Sequence, residues 1–307
     1  MTHISFSRRS FSLGFGAGGL MFAAGASPVF AATRTVQSAQ VGEIKVTTVS
    51  DGYIDFPTGA YTNVDTEVLA GLGDNLRLGA NVWIIRSGAR NILVDAGSGS
   101  FMGDAAPGVG NLNERLHEAG TTAREITDVI VTHMHPDHIG GLLVGGQIAY
   151  PNAQFHVSND EWGFWTSEEL LSAAPESNRP MIMGIQSIAT AIKERVTFHQ
   201  GAYDLGVGVS VEPAPGHTPG HMVVRVSSGG QQFFLLGDAV ISQDLQFQHP
   251  EAYSAFDAIP DLSVKTRKDL FDKLAADEIA FSATHLAFPG AGYVSKRGAG
   301  YVFTAIG

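Results

Sequence analysis

The sequence contains no cysteine among its 307 residues. This absence excludes disulfides, a lipid-modified cysteine anchor, thiolate ligands for zinc and a cysteine nucleophile. Positive charge is also scarce, because 19 lysine and arginine residues stand against 30 aspartate and glutamate residues, for a formal net charge of −11. A chain with this balance is a poor partner for nucleic acid or for an anionic lipid surface.

The first 32 residues differ from the rest of the chain. Arg8 and Arg9 precede an apolar stretch, residues 14–26, that is rich in glycine and alanine. This pattern predicts a twin-arginine export signal over residues 1–32, cleaved near Ala31 or Ala32, which would deliver a folded protein to the periplasm or the exterior. The alternative is a membrane anchor, but the stretch is short and Pro28 interrupts it. We therefore expect no stable membrane anchor.

The remaining residues, 33–307, are numerous enough for one large domain or two fused halves. Of the whole sequence, 44% is hydrophobic, which is sufficient for a large buried core. No short-period repeat is visible. We expect a single domain over this range, built from alternating strands and helices.

Four potential metal ligands lie within six consecutive residues of this domain. They follow the β-branched, apolar segment 128–132, which predicts a buried strand, and Pro136 forbids a regular strand beyond it. On the resulting turn, alternate residues diverge, so one pair can face one cation and the other pair a second cation. A single His-x-His is most often a solvated turn, but four ligands in this order favour a metal site. The ligands are His133, His135, Asp137 and His138.

The order His-x-His-x-Asp-His resembles the central motif of the metallo-β-lactamase fold superfamily. That superfamily continues with a histidine in a glycine-rich turn, an acidic residue at a strand end and a late histidine. The residues at these three motif positions are His217, Asp238 and His285. Within the superfamily, residues 41–304 are similar to the methyl parathion hydrolases and related lactonases. That similarity rests on Phe101, on Phe164-Trp165 and on the segment 285–290.

The resemblance implies an α/β fold, a four-layer αββα sandwich of the metallo-β-lactamase type, with the ligands at one edge between the two sheets. Periodicity and turn residues predict strands for the first sheet at 43–50, 81–86, 91–95, 128–132 and 154–157, and for the second sheet at 206–212, 221–226 and 232–237. Helices are predicted at 111–120 and 261–277, with a helical insertion over 159–195 that Pro175 and Pro180 interrupt.

The resemblance also implies two divalent metal ions, with zinc as the first choice and manganese, cobalt or iron as alternatives. One ion is expected on His133, His135 and His217, and the other on Asp137, His138 and His285, with Asp238 bridging them. Two cations about 3.5–4 Å apart can share a water and lower its pKa, so the expected reaction is hydrolysis by a bridging hydroxide. Asp137 and Asp238 are the expected catalytic residues, and Asp95 is expected to support the metal loop by hydrogen bonds.

The expected substrate is a neutral, hydrophobic ester, either a lactone or a phosphotriester. Phe101, Trp165, Ile182 and Ile241 are the predicted pocket residues, and no cluster of lysine or arginine is available to bind an anion. The alternatives are a β-lactamase, a glyoxalase II-like thioester hydrolase and a periplasmic metal-binding protein without activity. The bridging position of Asp238 disfavours a β-lactamase. A coordination position that both ions share and that stays open is typical of a catalytic site, which disfavours an inactive metal-binding protein. The resemblance implies a homodimer.

Several histidines and aromatic residues lie outside this pattern. His156 alternates with apolar neighbours in a predicted strand and is expected to be structural. His199 and His249 have no partner pattern, so we assign them no role. Trp162 is expected to pack in the core.

Overall fold

The computed structural model describes residues 34–306 together with the backbone of Ile4–Ser5. The predicted export signal, with Arg8, Arg9 and the cleavage region at Ala31 and Ala32, otherwise lies outside the described residues. Within residues 34–306, every helix is too short or too polar to cross a lipid bilayer.

In the part of the chain that the structure describes, eight strands form the first sheet. Its two longest strands are antiparallel neighbours, and its last four strands run parallel to one another. The carboxyl ends of the parallel strands therefore meet at one edge, where the residues that follow them come together. In spatial order the strands are Ile4–Ser5, Val36–Val41, Ile44–Pro57, Asn75–Ser87, Arg90–Val94, Asp128–Ile130, Gln154–Ser158 and Val196–His199.

Among the described residues, seven strands form the second sheet. All neighbouring pairs are antiparallel except one parallel pair, Gln231–Leu235 with Ala280–Ser282. Asp238 and His285 each follow one of these two strands, so the pairing brings both residues to the same edge. In spatial order the strands are Tyr203–Gly206, Val209–Pro213, Met222–Ser228, Gln231–Leu235, Ala280–Ser282, Ala291–Arg297 and Gly300–Ala305.

The two sheets pack face to face, and helices cover the outer face of each. Trp83 and Phe233 belong to the apolar cluster between the sheets. Ile185 lies in the cluster under the helices of the first sheet, and Phe271 lies in the corresponding cluster of the second sheet. The predicted αββα sandwich is confirmed. The α-helices are Thr66–Gly71, Leu112–Arg115, Pro136–Ile139, Asn159–Trp165, Glu168–Ala173, Arg179–Ile192 and Pro260–Ala276.

Short elements complete the fold. Two small antiparallel pairs join Tyr61–Thr62 with Tyr253–Ser254 and Leu143–Val144 with Gln147–Ile148. The 3-10 turns are Thr58–Ala60, Gly103–Ala105, Ala123–Glu125, Gly140–Leu142 and Lys193–Arg195.

Four sequence predictions require correction. The strand predicted at 206–212 begins only at Val209, because residues 207–208 form the turn that follows Tyr203–Gly206. The helix predicted at 111–120 is α-helical only over Leu112–Arg115 and continues as turns. The strand predicted at 128–132 ends at Ile130, because the N–H of Thr132 donates to a side chain instead of to a neighbouring strand. Pro180 does not interrupt the insertion: it occupies the first turn of Arg179–Ile192, where a helix needs no N–H donor.

Candidate metal centre

The central motif occupies a strand-to-helix turn at the edge between the sheets. His133 and His135 follow the strand Asp128–Ile130, whereas Asp137 and His138 lie in the helix Pro136–Ile139. Pro136 begins this helix, since its missing N–H is not needed there. The change from extended to helical backbone turns the second pair of side chains away from the first pair.

One group of ligand atoms surrounds a point between the sheets. Nε2 of His133 and Nε2 of His217 each lie 2.9 Å from Nδ1 of His135. Oδ2 of Asp238 lies 3.8 Å from Nε2 of His133 and 3.4 Å from Nε2 of His217. A tetrahedral zinc ion with bonds of about 2.1 Å holds its ligand atoms about 3.4 Å apart. These four atoms could therefore hold one metal ion.

A second group of ligand atoms shares Asp238 with the first. Oδ2 of Asp137 lies 3.6 Å from Nε2 of His138 and 3.4 Å from Nε2 of His285. Oδ1 of Asp238 is 3.2 Å from Nε2 of His138, and its Oδ2 is 3.0 Å from Nε2 of His285. The structure thus brings together all seven side chains predicted to bind metal, and the carboxylate of Asp238 lies between the two groups.

Two buried atoms of this cluster test whether metal ions fit. Nε2 of His138 and Oδ1 of Asp238 have no hydrogen-bond partner among the described residues, although they are only 3.2 Å apart. Buried polar atoms of proteins nearly always have a partner. Imidazole nitrogen and carboxylate oxygen are the donors that zinc and its first-row neighbours prefer. The residues present therefore fit divalent metal ions.

Burial and neighbouring charges shift the pKa values of the ligand side chains in different directions. Burial lowers the pKa of His133 and of His135 well below the usual value, so both imidazoles are neutral. Burial opposes the charge of His138, but the carboxylates of Asp238 and Asp137 raise its pKa well above the usual value. Burial likewise opposes the charge of Asp238, yet His285 and His138 outweigh it and lower the pKa of that carboxyl. Asp238 is consequently ionised, as a metal ligand must be.

Asp95 supports the turn and one imidazole at the same time. It adopts φ 61° immediately after the strand Arg90–Val94. Its carboxylate accepts hydrogen bonds from the N–H of Thr132 at 2.8 Å, from Oγ1 of Thr132 at 2.7 Å and from Nδ1 of His138 at 2.8 Å. The last bond places the proton of His138 on Nδ1 and directs its Nε2 into the cluster.

Two further ligand histidines are oriented by oxygen acceptors. Nδ1 of His285 lies 2.8 Å from the carbonyl oxygen of Gly79, and Nδ1 of His217 lies 3.0 Å from Oδ1 of Asp257. Burial raises the pKa of Asp257, but the hydrogen bond from His217 and the charges of His217 and Arg267 lower it to about 2. Sequence reasoning missed Asp257, because it lies 40 residues from its partner in an irregular segment and no local pattern marks it.

His221 is a second support that sequence reasoning missed. Its Nε2 accepts the N–H of Asp238 at 3.0 Å, and its Nδ1–H donates to the carbonyl oxygen of Ala214 at 3.2 Å. Gly237 makes this contact possible, since a side chain there would place its Cβ 2.8 Å from Nε2 of His221. A signal was available, because His221 ends the same Pro-Gly-His-Thr-Pro-Gly-His segment that contains His217.

We expect His221 to make folding of the metal-free protein sensitive to acid. Burial and the neighbouring His217 lower the pKa of His221 to about 3, whereas an unfolded histidine titrates near 6.5. Between these values the unfolded state binds one more proton, so the free energy of unfolding falls as pH falls, by about 1.4 kcal/mol per pH unit. Urea unfolding with chelator present should show a slope that includes this contribution, and His221→Gln should reduce the slope by about 1.4 kcal/mol per pH unit. Equal slopes for both proteins would contradict the assignment.

The four predicted pocket residues are placed differently from one another. Phe101 is half-buried, and its ring lies against Gly184. Trp165 is 4% exposed, and its ring contacts that of His135 edge-on at a centroid distance of 5.3 Å. Ile182 is 3% exposed and packs in the core under the helices, and Ile241 is 4% exposed in a separate cluster. Substrate contact by these residues stays a prediction.

Phe256 is an aromatic residue at the metal centre that the sequence did not indicate. Its side chain is 49% exposed, and its ring centroid lies 6.2 Å from that of His135. It also contacts Phe56 at 5.7 Å. Aromatic surface is therefore available beside the ligand cluster.

Three other histidines can now be placed. His156 contacts side chains of neighbouring strands and no metal ligand among the described residues. Its Nε2 lies 3.0 Å from Oδ1 of Asp128, and its Nδ1 lies 3.0 Å from Nε2 of His199. His199 therefore has a partner that sequence reasoning did not find, because strand pairing brings the two together. Nδ1 of His249 lies 3.4 Å from Oε1 of Glu251. Neither His199 nor His249 belongs to any group of side chains that could hold a metal ion within residues 34–306.

Comparison with known proteins identifies the family. Residues 76–285 match the metallo-beta-lactamase superfamily. The chain belongs to that superfamily.

Curated relatives match over part of their length. The beta-lactamase-like protein 2 homolog of Drosophila melanogaster is 26% identical over 191 residues, which cover 60% of this chain and 56% of the relative. A probable metallo-hydrolase of Mycobacterium tuberculosis is 23% identical over 151 residues, or 41% of this chain and 40% of the relative. The chain thus spans about half the length of the curated relatives that it matches.

Solved structures match over nearly the whole described chain. AidC, a dizinc quorum-quenching lactonase in complex with the product N-hexanoyl-L-homoserine, is 27% identical with a TM-score of 0.82, and the match covers 89% of this chain and 97% of AidC. AbOPH, a hydrolase of the beta lactamase superfamily, is 25% identical with a TM-score of 0.81, and the match covers 89% of this chain and 98% of AbOPH.

Proposed function

We propose that this protein is a lactonase that uses two divalent metal ions, zinc by first choice, to hydrolyse neutral, hydrophobic lactones. The observation that carries the proposal is the convergence of seven ligand side chains on the shared carboxylate of Asp238. The lactone class is supported by the similarity to AidC, whose ligand is the opened form of an acylated homoserine lactone.

Three histidines, His133, His135 and His217, would hold one ion, and Asp137, His138 and His285 would hold the other, with Asp238 between them. When bound, two such ions supply an activated water and polarise the ester oxygen. Negative charge in the protein would compensate part of the positive charge of the ions. Three carboxylates lie close to His138, including that of Asp95.

The chain itself can supply the proton for the departing hydroxyl group. Asp137 is the more exposed of the two ligand carboxylates, with 14% of its side chain accessible against 4% for Asp238. As a metal ligand Asp137 would be ionised, so its carboxylate would first take the proton that the attacking water loses and then pass that proton to the leaving oxygen. We therefore assign proton delivery to Asp137 and ligand bridging to Asp238.

The surroundings of the cluster favour a neutral substrate. Arg267 pairs with Asp257, the hydrogen-bond partner of His217, and it is buried. Its guanidinium donates to the carbonyl oxygens of Ala239, Pro250 and Ala252, so it is not available to a substrate anion. The exposed ring of Phe256 instead offers apolar contact to an acyl chain. The same features suit an aryl phosphotriester, which is the second candidate substrate.

A substrate panel on metal-analysed protein tests the proposal. We expect two bound ions per chain and hydrolysis of N-acyl homoserine lactones, with slower turnover of aryl phosphotriesters. The matched comparisons are a thioester, a β-lactam and a phosphomonoester of similar size. Cleavage confined to the thioester, the β-lactam or the phosphomonoester would overturn the assignment.

Phe256 should determine how tightly long acyl chains bind. Phe256→Ala removes exposed apolar surface beside His135. We therefore expect KM for a long-chain lactone to rise roughly 5- to 30-fold, which corresponds to about 1–2 kcal/mol of binding free energy, with kcat little changed. The matched control is Phe198→Ala, which removes another exposed ring, 39% accessible, that packs against Trp162. An unchanged chain-length dependence of KM in Phe256→Ala would remove this residue from the pocket.

A further inference from the structure

Glu161 is a fully buried carboxylate that belongs to neither group of metal ligands. It lies in the helix Asn159–Trp165, and none of its surface is exposed. Burial raises the pKa of Glu161, which reflects the cost of removing a carboxylate from water. A side chain of this kind remains inside a protein only if its oxygens are paired.

Four donors pair with the two oxygens of Glu161. Oε1 accepts the N–H of Met134 at 2.8 Å and Nε1–H of Trp165 at 2.7 Å. Oε2 accepts Oγ1–H of Thr218 at 2.5 Å and the N–H of Gly220 at 3.1 Å. Each oxygen therefore receives two hydrogen bonds, which uses the full acceptor capacity of the carboxylate.

Three of these donors belong to the two loops that carry one group of ligands. Met134 lies between His133 and His135, on the turn that follows a strand of the first sheet. Thr218 follows His217, in the loop between the second-sheet strands Val209–Pro213 and Met222–Ser228. One carboxylate thus joins ligand loops that come from different sheets.

Close packing against the second loop supports the same conclusion. A Cβ atom on Gly220 would lie 2.0 Å from the backbone nitrogen of Glu161 and 2.5 Å from its Cα. Only glycine at this position allows the loop to approach the helix closely enough for the N–H of Gly220 to reach Oε2. The fourth donor, Trp165, is held with its ring against His135.

We propose that Glu161 is a positioning residue that fixes the spacing between the His133–His135 turn and His217, and thereby sets the affinity for the metal ion on these three histidines. This inference rests on the metal centre of the proposed function. The carboxylate contacts no ligand atom itself, and it acts through backbone and hydroxyl groups on both sides of the ligands.

Glu161→Gln tests the inference with almost no change of shape. Whichever way the new amide is oriented, its NH2 group faces at least one backbone N–H, either that of Met134 or that of Gly220, so one loop loses its anchor. We expect one of the two zinc ions to bind at least about tenfold more weakly in a chelator competition, while the other ion keeps its affinity. The visible absorption bands of the cobalt-substituted protein should also change.

Asp128→Asn is the matched control. Asp128 is another buried carboxylate, which accepts hydrogen bonds from His156 and Thr127. It lies at the start of the strand Asp128–Ile130, whereas the ligands follow the end of that strand. This variant should lose stability and keep both the zinc affinities and the cobalt spectrum of the wild-type protein.

The outcomes separate this inference from the proposed function. A wild-type protein that binds no zinc would overturn both. A wild-type protein with two ions and lactonase activity, together with a folded Glu161→Gln variant of unchanged affinity and spectrum, would overturn the inference alone. If Glu161→Gln does not fold, the Thr218→Val variant tests the inference instead, because it removes the hydroxyl that donates to Glu161 and keeps the carboxylate. About tenfold weaker binding of one ion is then expected, and unchanged binding would overturn the inference.

Discussion

Replacement of Asp238 by alanine should release bound metal and lower kcat/KM for lactones by at least about a thousandfold, or about 4 kcal/mol. The carboxylate lies 3.0 Å from the imidazole of His285 and 3.2 Å from that of His138, and within 3.8 Å of both His217 and His133. Among the described residues, Asp238 forms a third set of possible ligands with His133 and His138, which come from different groups. Loss of this carboxylate should therefore weaken the binding of both ions, and it leaves buried imidazoles without a counter-charge.

Metal content per chain and steady-state kinetics measure this effect, and circular dichroism shows whether the variant remains folded. His249→Ala is the control, because His249 is partly exposed and its imidazole lies beside Glu251, outside the ligand cluster. That control should keep both ions and full turnover. An Asp238→Ala protein that keeps two ions and wild-type turnover would remove the proposed catalytic centre.

The ligand cluster could be predicted because its strongest signal is local. His133, His135, Asp137 and His138 lie on one turn, so their spacing alone indicates a metal site. The other three ligands come much later in the chain, and only the resemblance to a known superfamily linked them to the motif. The fold supplies the reason: Asp238 and His285 each follow a strand, and both strands end at the same edge as the strand Asp128–Ile130.

The supports of the cluster could not be predicted in the same way. Glu161 bonds to residues 27 and 57 positions away in the chain, and Asp257 to a histidine 40 positions away. Such contacts depend on how the loops of the two sheets meet, and no spacing rule describes them. The exposure of Phe256 likewise follows from the packing of an irregular segment.

The burial of Ile182 was within reach of sequence reasoning. Ile182, Ile185, Ala189 and Ile192 recur at helical spacing, which places them on one face of Arg179–Ile192. All four are buried against the first sheet. The periodicity therefore indicated a core position for Ile182, whereas similarity to other hydrolases had suggested a pocket position.

Asp95→Asn should lower the affinity for one of the two metal ions by about 10- to 100-fold. Activity should fall to a similar degree when metal is limiting. Asparagine tolerates the positive φ of 61° at this position as well as aspartate does, so the backbone should not change. The amide has one acceptor where the carboxylate has two. If its oxygen faces the N–H of Thr132, its NH2 faces Nδ1–H of His138, and the opposite orientation places NH2 against the N–H of Thr132.

The first orientation forces the proton of His138 onto Nε2, the atom that faces the cluster, and a protonated Nε2 cannot bind metal. Excess zinc should restore much of the lost activity, because the defect lies in affinity. Asp51→Asn is the control: Asp51 is buried and accepts the backbone N–H groups of Ser98, Gly110 and Leu112, but it bonds to no imidazole. Its variant should lose stability and keep zinc affinity. Equal zinc affinities in Asp95→Asn and the wild-type protein would show that Asp95 does not control the protonation of His138.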